Sequence, residues 1–174
     1  MEQLKWFDKQ FSFGSAQNTF PEIIERLAGT PARLEEKIKQ IPPSIFEIRT
    51  GDKWSIKEHA GHLTDLEPLW QGRFQDIVNG QLELRPADLQ NTKTDQANHN
   101  EKSISDLLQS FRKVRKTTIE LLEAIDETIV FKSALHPRLK TRLRTIDLFL
   151  FVAEHDDHHL ATITTLAKTL HLQK

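Results

Sequence analysis

The sequence predicts an all-α protein, a four-helix bundle. Four segments between Phe20 and Leu170 repeat apolar residues at three-and-four spacing, the period of one buried helix face. Each of the four opens on a Ser or Thr placed to cap a helix, and no run alternates convincingly with the period of two that a strand needs. The 174 residues, 37% hydrophobic, suffice for one core over residues 1–174 and call for no second domain.

Residues 1–18 form an N-terminal arm whose Trp6, Phe7, Phe11 and Phe13 have no lasting periodicity and are expected to pack onto the body. Thr19-Phe20-Pro21 then starts a helix with Thr19 as its cap, because proline lacks only an N–H that the first turn leaves free anyway. Gly29-Thr30-Pro31 interrupts the pattern, so residues 20–41 read as one kinked helix or two short ones. Ser55 and Glu58 have the spacing of a capping box, the clearest helix start in the chain, and the helix runs from Ile56 to about Val78. Its apolar face carries Leu63, Trp70, Phe74 and Ile77, and Gly80 stops it. Residues 81–102 form a long polar connection that reads as a short extra helix, a disordered insert or a loop serving a site. Ser103 and Asp106 open a third long helix to about Ala124, in which Arg115 nears the inward row and reads as an ion-paired or snorkelling arginine ahead of a substrate contact. After a connection containing His136-Pro137-Arg138-Leu139, Thr145 is expected to cap the last helix, Ile146 to about Leu170.

Composition narrows the function. Twenty-four basic against twenty-five acidic residues give no electrostatic footprint for nucleic acid or an anionic membrane. The longest apolar run, Leu148 to Ala153, is far too short for a bilayer, and the first residues do not resemble a signal peptide, so a cytoplasmic protein is expected. The chain has no cysteine, so a metal would have to be held by nitrogen and oxygen.

His155 and His159 supply nitrogen one helical turn apart, in the same row as Leu148, Val152, Ile163 and Leu166. Both rings should therefore face inward, with Asp156, Asp157 and His158 at the edge of the row or in solvent. Two core histidines satisfied by hydrogen bonds explain the spacing as well as a metal does, although each buried nitrogen without a partner costs about 1–3 kcal/mol. A third ligand would come from the helix beginning at Ile56, where periodicity favours His59 over His62 without deciding between them.

Trp54-Ser55-Ile56-Lys57-Glu58-His59-Ala60-Gly61-His62-Leu63, followed far downstream by Glu154-His155-Asp156-Asp157-His158-His159-Leu160, resembles the DinB-like (YfiT-like) family over most of the chain. The resemblance implies a four-helix bundle with a divalent transition metal on three histidines, and it selects His62, directly before Leu63, to join His155 and His159. Zinc or nickel suits such a site, with iron or manganese as alternatives. It further implies a metal-dependent hydrolase, or a thiol S-transferase joining a low-molecular-weight thiol of the bacillithiol or mycothiol kind to an electrophile, and a homodimer. Glu58, Asp65 and Asp156 are the candidates to orient ligand rings or move protons. The alternative from another class is a non-catalytic bundle that binds a small molecule or a second copy of itself.

Overall fold

A computed structural model describes residues 3–171. Its elements run α1 (Phe20–Lys39), α2 (Ile56–Val78), α3 (Thr92–Gln96), α4 (Ile104–Glu123), α5 (Glu127–Phe131), β1 (Ser133–Leu135), β2 (Arg142–Arg144) and α6 (Thr145–His171). The four long helices make the bundle. Helices α4 and α6 each pack against both α1 and α2, so the order around the bundle is α1, α4, α2, α6, and α1 and α2 lie diagonally opposite.

Most of the expected punctuation is present. Ser55 Oγ accepts from Glu58 N at 3.2 Å while the Glu58 carboxylate accepts from Ser55 N at 2.8 Å, completing the capping box of α2. Ser103 Oγ likewise accepts from Asp106 N at the start of α4. Two caps differ from expectation. Thr19 makes no side-chain cap, and Asn18 Oδ1 accepts from Phe20 N instead. Thr145 is the first residue of α6 and not its cap, and Asp147 reaches back to accept from Arg144 N at 3.2 Å.

Residues 20–39 form one continuous helix with Pro31 inside it. Proline cannot donate to the carbonyl four residues earlier, which frees Leu27 O. Arg115 Nη1, from α4, donates to that carbonyl at 3.2 Å.

A short antiparallel hairpin, β1 with β2, corrects the expectation of no strand. Three residues per strand are too few to show a period of two, and the pairing is sustained by neighbours: Leu84 N donates to Leu135 O and Leu135 N to Leu82 O. Of the N-terminal arm, Trp6, Phe11 and Phe13 pack against the core as expected, whereas Phe7 is exposed; Met1 and Glu2 lie outside the described residues.

The core is divided in two. Phe20, Leu27, Trp70, Phe74, Phe149 and Val152 belong to one apolar cluster, and Leu34, Ile38, Leu63, Phe111, Leu160 and Ile163 to the other. Between them every long helix contributes polar side chains: Thr30, Glu67, Arg115, Thr118, Asp156, and His59, His62, His155 and His159, all buried. Arg115 is the knot of this layer, donating to Glu67 on α2, to Asp156 on α6 and to Leu27 O on α1.

Candidate metal centre

His62 lies in the second turn of α2, and His155 and His159 lie one turn apart in the middle of α6, the helix packed against it. Each brings a ring nitrogen to a common point, the three atoms lying within 4.8 Å of one another, and all three side chains are buried. Burial removes the water that would stabilise a charged imidazole, so the pKa of His62 falls to about 3 and those of His155 and His159 fall well below the usual value. At neutral pH the cluster is three uncharged imidazoles with lone pairs available.

Groups behind the rings decide which nitrogen faces inward. Asp65 holds an ionised carboxylate: burial opposes its charge, but hydrogen bonds from His99 and Thr94 outweigh that and lower its pKa. An ionised carboxylate only accepts, so the Thr94 hydroxyl donates to Asp65 Oδ2 at 2.9 Å and its oxygen accepts from His62 Nδ1 at 2.9 Å. His62 therefore carries its proton on Nδ1 and turns Nε2 toward the cluster. His59 Nδ1 lies 2.8 Å from His159 Nδ1 and holds that ring in the same sense, leaving His159 Nε2 3.1 Å from His155 Nε2. His155 Nδ1 is buried with no hydrogen-bond partner among the described residues, and the His155 ring meets those of Trp6 and Trp70 edge-to-face.

The donor set fits a transition metal. Two imidazoles bound at about 2.0–2.1 Å with a tetrahedral angle place their nitrogens about 3.3 Å apart, close to the separation of His155 and His159. Three nitrogens complete no tetrahedral shell, and the rings border a cavity of about 340 Å3 lined by Trp6, Trp70, Phe151 and Arg138 among others. A held metal would thus keep a position open to a small molecule.

The 81–102 connection turns out to serve this centre. Asn91 and Asn98, both in the left-handed conformation, bracket α3 and return Thr94 and His99 to α2, each 3% exposed. Gly61 makes that approach possible, since a Cβ there would overlap the His99 ring. Trp54 closes the same side, its ring centroid 4.6 Å from that of His62 and its Nε1 donating to Asp95 at 2.8 Å.

The sequence profile of the DinB superfamily matches residues 26–163. The chain belongs to the DinB superfamily. Among solved structures, it is similar to Bacillus subtilis YfiT, described as a probable metal-dependent hydrolase with an unusual four-helix bundle topology. The identity is 19%, 93% of each chain is covered and the TM-score is 0.78, so the two share a fold. No curated protein matches the chain.

Of the other candidates in this DinB chain, Asp65 stands behind His62 through Thr94, whereas Glu58 is held by Ser55 N and by Arg49 and touches none of the three rings. Asp156 departs from the expectation that it lies at an edge or in solvent. It is 1% exposed and ion-paired with Arg115, because α6 packs against α1 as well as α2 and so has more than one buried face. Asp157 and His158 are half-buried; Asp157 pairs with Arg26 and Arg33, and His158 borders the cavity. His59, preferred by periodicity, supports the cluster from behind. Sequence reasoning missed Thr94, for which a polar loop offers no signal, and Arg73, which offered one: an arginine three residues after Trp70 and four before Ile77, in a row otherwise apolar.

Proposed function

We propose that this protein is a metal-dependent enzyme in which His62, His155 and His159 hold one divalent transition metal and the adjoining cavity takes a small-molecule substrate. The observation that carries this reading is three buried, neutral imidazoles whose free nitrogens converge at the wall of an open cavity. Zinc or nickel is the metal an all-imidazole set favours, with iron or manganese next. Such a metal supplies Lewis acidity, lowering the pKa of a water or thiol so that its anion is available near neutral pH.

The residues around it have separable tasks. Asp65 acts as a positioning residue: through Thr94 it fixes the His62 tautomer and keeps the inward nitrogen free of a proton. Glu58 secures the start of α2, so that its contribution passes through the helix carrying His62, and Asp156 contributes through Arg115 by tying α6 to α4 across the bundle. Trp6, Trp70 and Phe151 exclude bulk water from the cavity wall.

The reaction is the transfer of an activated nucleophile to an electrophilic substrate. With no cysteine in the chain, a transferred thiol has to come from a low-molecular-weight cosubstrate, which is the S-transferase reading. Hydrolysis is the second reading, favoured by the description of YfiT. Homodimer formation and a cytoplasmic setting belong to the same proposal and rest on the family resemblance; sedimentation measures the first.

Metal content per chain, by elemental mass spectrometry on untagged protein, is the primary test. About one metal per chain is expected, dropping to near zero in His155→Ala and His159→Ala with the helical circular dichroism retained. Full occupancy in those variants would overturn the ligand assignment. Consumption of a model electrophile with and without added thiol then separates transfer from hydrolysis, and the absence of both in metal-loaded protein would favour a binding bundle.

A further inference from the structure

The cavity has a second polar end, away from His62, His155 and His159, where donors outnumber the acceptors among the described residues. Arg73 is 1% exposed; its Nε donates to Arg85 O at 3.0 Å and its Nη1 lies 3.0 Å from His136 Nε2. Arg138, in the β1–β2 turn, has its guanidinium over the rings of Phe7 and Phe151, and its buried Nη2 has no hydrogen-bond partner among the described residues. Neither arginine has a carboxylate within ion-pair distance among the described residues. The nearby Asp76 is occupied by Arg85, and among the described residues the one carboxylate lining the cavity, Asp88, accepts from the backbone N–H groups of Gln90 and Thr92.

His136 makes the shortage of acceptors explicit. Its Nδ1 lies 3.2 Å from both Arg138 N and Leu139 N, while its Nε2 faces Arg73 Nη1. All three neighbours are donors, and a neutral imidazole accepts at only one of its two nitrogens. At least one buried N–H here lacks an acceptor among the described residues. A buried, unpaired guanidinium is costly to maintain, and such groups are ordinarily matched by an anion.

We propose that Arg138 and Arg73 form the binding site for the carboxylate of an amphiphilic substrate, whose apolar body lies along Trp70 and Phe151 and whose reactive end meets the histidine cluster. The last clause rests on the metal-enzyme reading above; the anion site itself rests on the cavity. The spacing suits such a molecule, because a single layer of aromatic rings joins the two ends: Arg73 lies 5.6 Å from the Trp70 centroid, and Trp70 lies 5.7 Å from the His155 ring. A monoanion matches the local charge better than a dianion. Two guanidiniums against Asp88 leave one positive charge on the cavity wall, and the Asp76–Arg85 pair behind it is balanced. A planar carboxylate also suits the guanidinium fork.

The test uses metal-free protein, so that a carboxylate has no metal to ligate. 3-Phenylpropionate, 3-phenylpropanamide and phenethyl phosphate are titrated by calorimetry, and metal uptake by the same preparations is measured separately. The carboxylate is expected to bind at least about tenfold more tightly than the amide, as for a charge-assisted hydrogen bond. Arg138→Met, which keeps the apolar stem and sits in a surface turn, should erase that preference, while Arg138→Lys should retain part of it. Both variants should still take up one zinc per chain. Equal affinity for carboxylate and amide, a preference that survives in Arg138→Met, or tighter binding of the phosphate would each overturn the proposal. If metal uptake fails while the carboxylate preference stands, the histidine reading falls and the anion site does not.

Discussion

Replacing Arg115 by Met should destabilise the bundle more than loss of any single apolar core residue. Arg115 makes five hydrogen bonds inside the protein: two to Glu67, two to Asp156 and one to Leu27 O. Its own burial opposes its charge, yet the two carboxylates outweigh that and raise its pKa. Glu67 and Asp156 are 0% and 1% exposed, so after substitution two anions stay out of water with no cation between them. Attraction between unit charges at about 4 Å amounts to about 4 kcal/mol at an effective dielectric of 20, offset by a desolvation penalty already present in the folded protein. Removing one partner of such a group costs about 3–5 kcal/mol, and the Leu27 carbonyl, which Pro31 cannot serve, adds about 1 kcal/mol. With a urea slope of about 2 kcal/mol/M, the midpoint should fall by about 2–3 M at pH 7. The same substitution combined with Glu67→Leu and Asp156→Leu should recover most of the loss, because no buried charge then remains. A midpoint shift below about 0.5 M in Arg115→Met, or no recovery in the triple variant, would refute this account of the polar layer.

Two other perturbations reach the candidate site through its supports. Gly61→Ala should displace the His99 ring and with it the Asp65–Thr94–His62 chain, costing about 1–3 kcal/mol and about 10–100-fold in metal affinity. Gly29→Ala, where a Cβ meets nothing within 4 Å, should instead be neutral or stabilising; thermal melts and zinc titrations of the pair compare them. Metal-free protein should also be acid-labile. Burial lowers His59 to about 4 and His62 and His136 to about 3, below the ordinary value near 6.5, so the unfolded chain takes up protons that the folded one refuses. Stability from these groups is complete above about pH 6.5 and falls as the pH drops toward 4, by about 1.4 kcal/mol per pH unit for each histidine. Urea midpoints measured from pH 7 to 5 check this, and a flat profile would contradict neutral burial of the rings.

What the sequence by itself determined is mostly local. Helix starts such as the Ser55–Glu58 capping box and the placement of His155 beside His159 follow from neighbours within one or two turns, and a linear pattern records such neighbours. Helical periodicity favours His59, near the centre of the apolar face, over His62 at its edge, and the selection of His62 rests on the family resemblance. The tertiary structure alone decided the rest. Asp156, off the apolar row, is buried because a second helix covers that face and Arg115 neutralises it. Thr94 and His99 reach His62 and Asp65 across about thirty residues, through two left-handed asparagines and the missing side chain of Gly61. Arg73, Arg138 and His136 converge only after α2 and the β1–β2 turn are brought together. Contacts between distant segments depend on how helices pack and where loops return, and no periodicity along the chain encodes them.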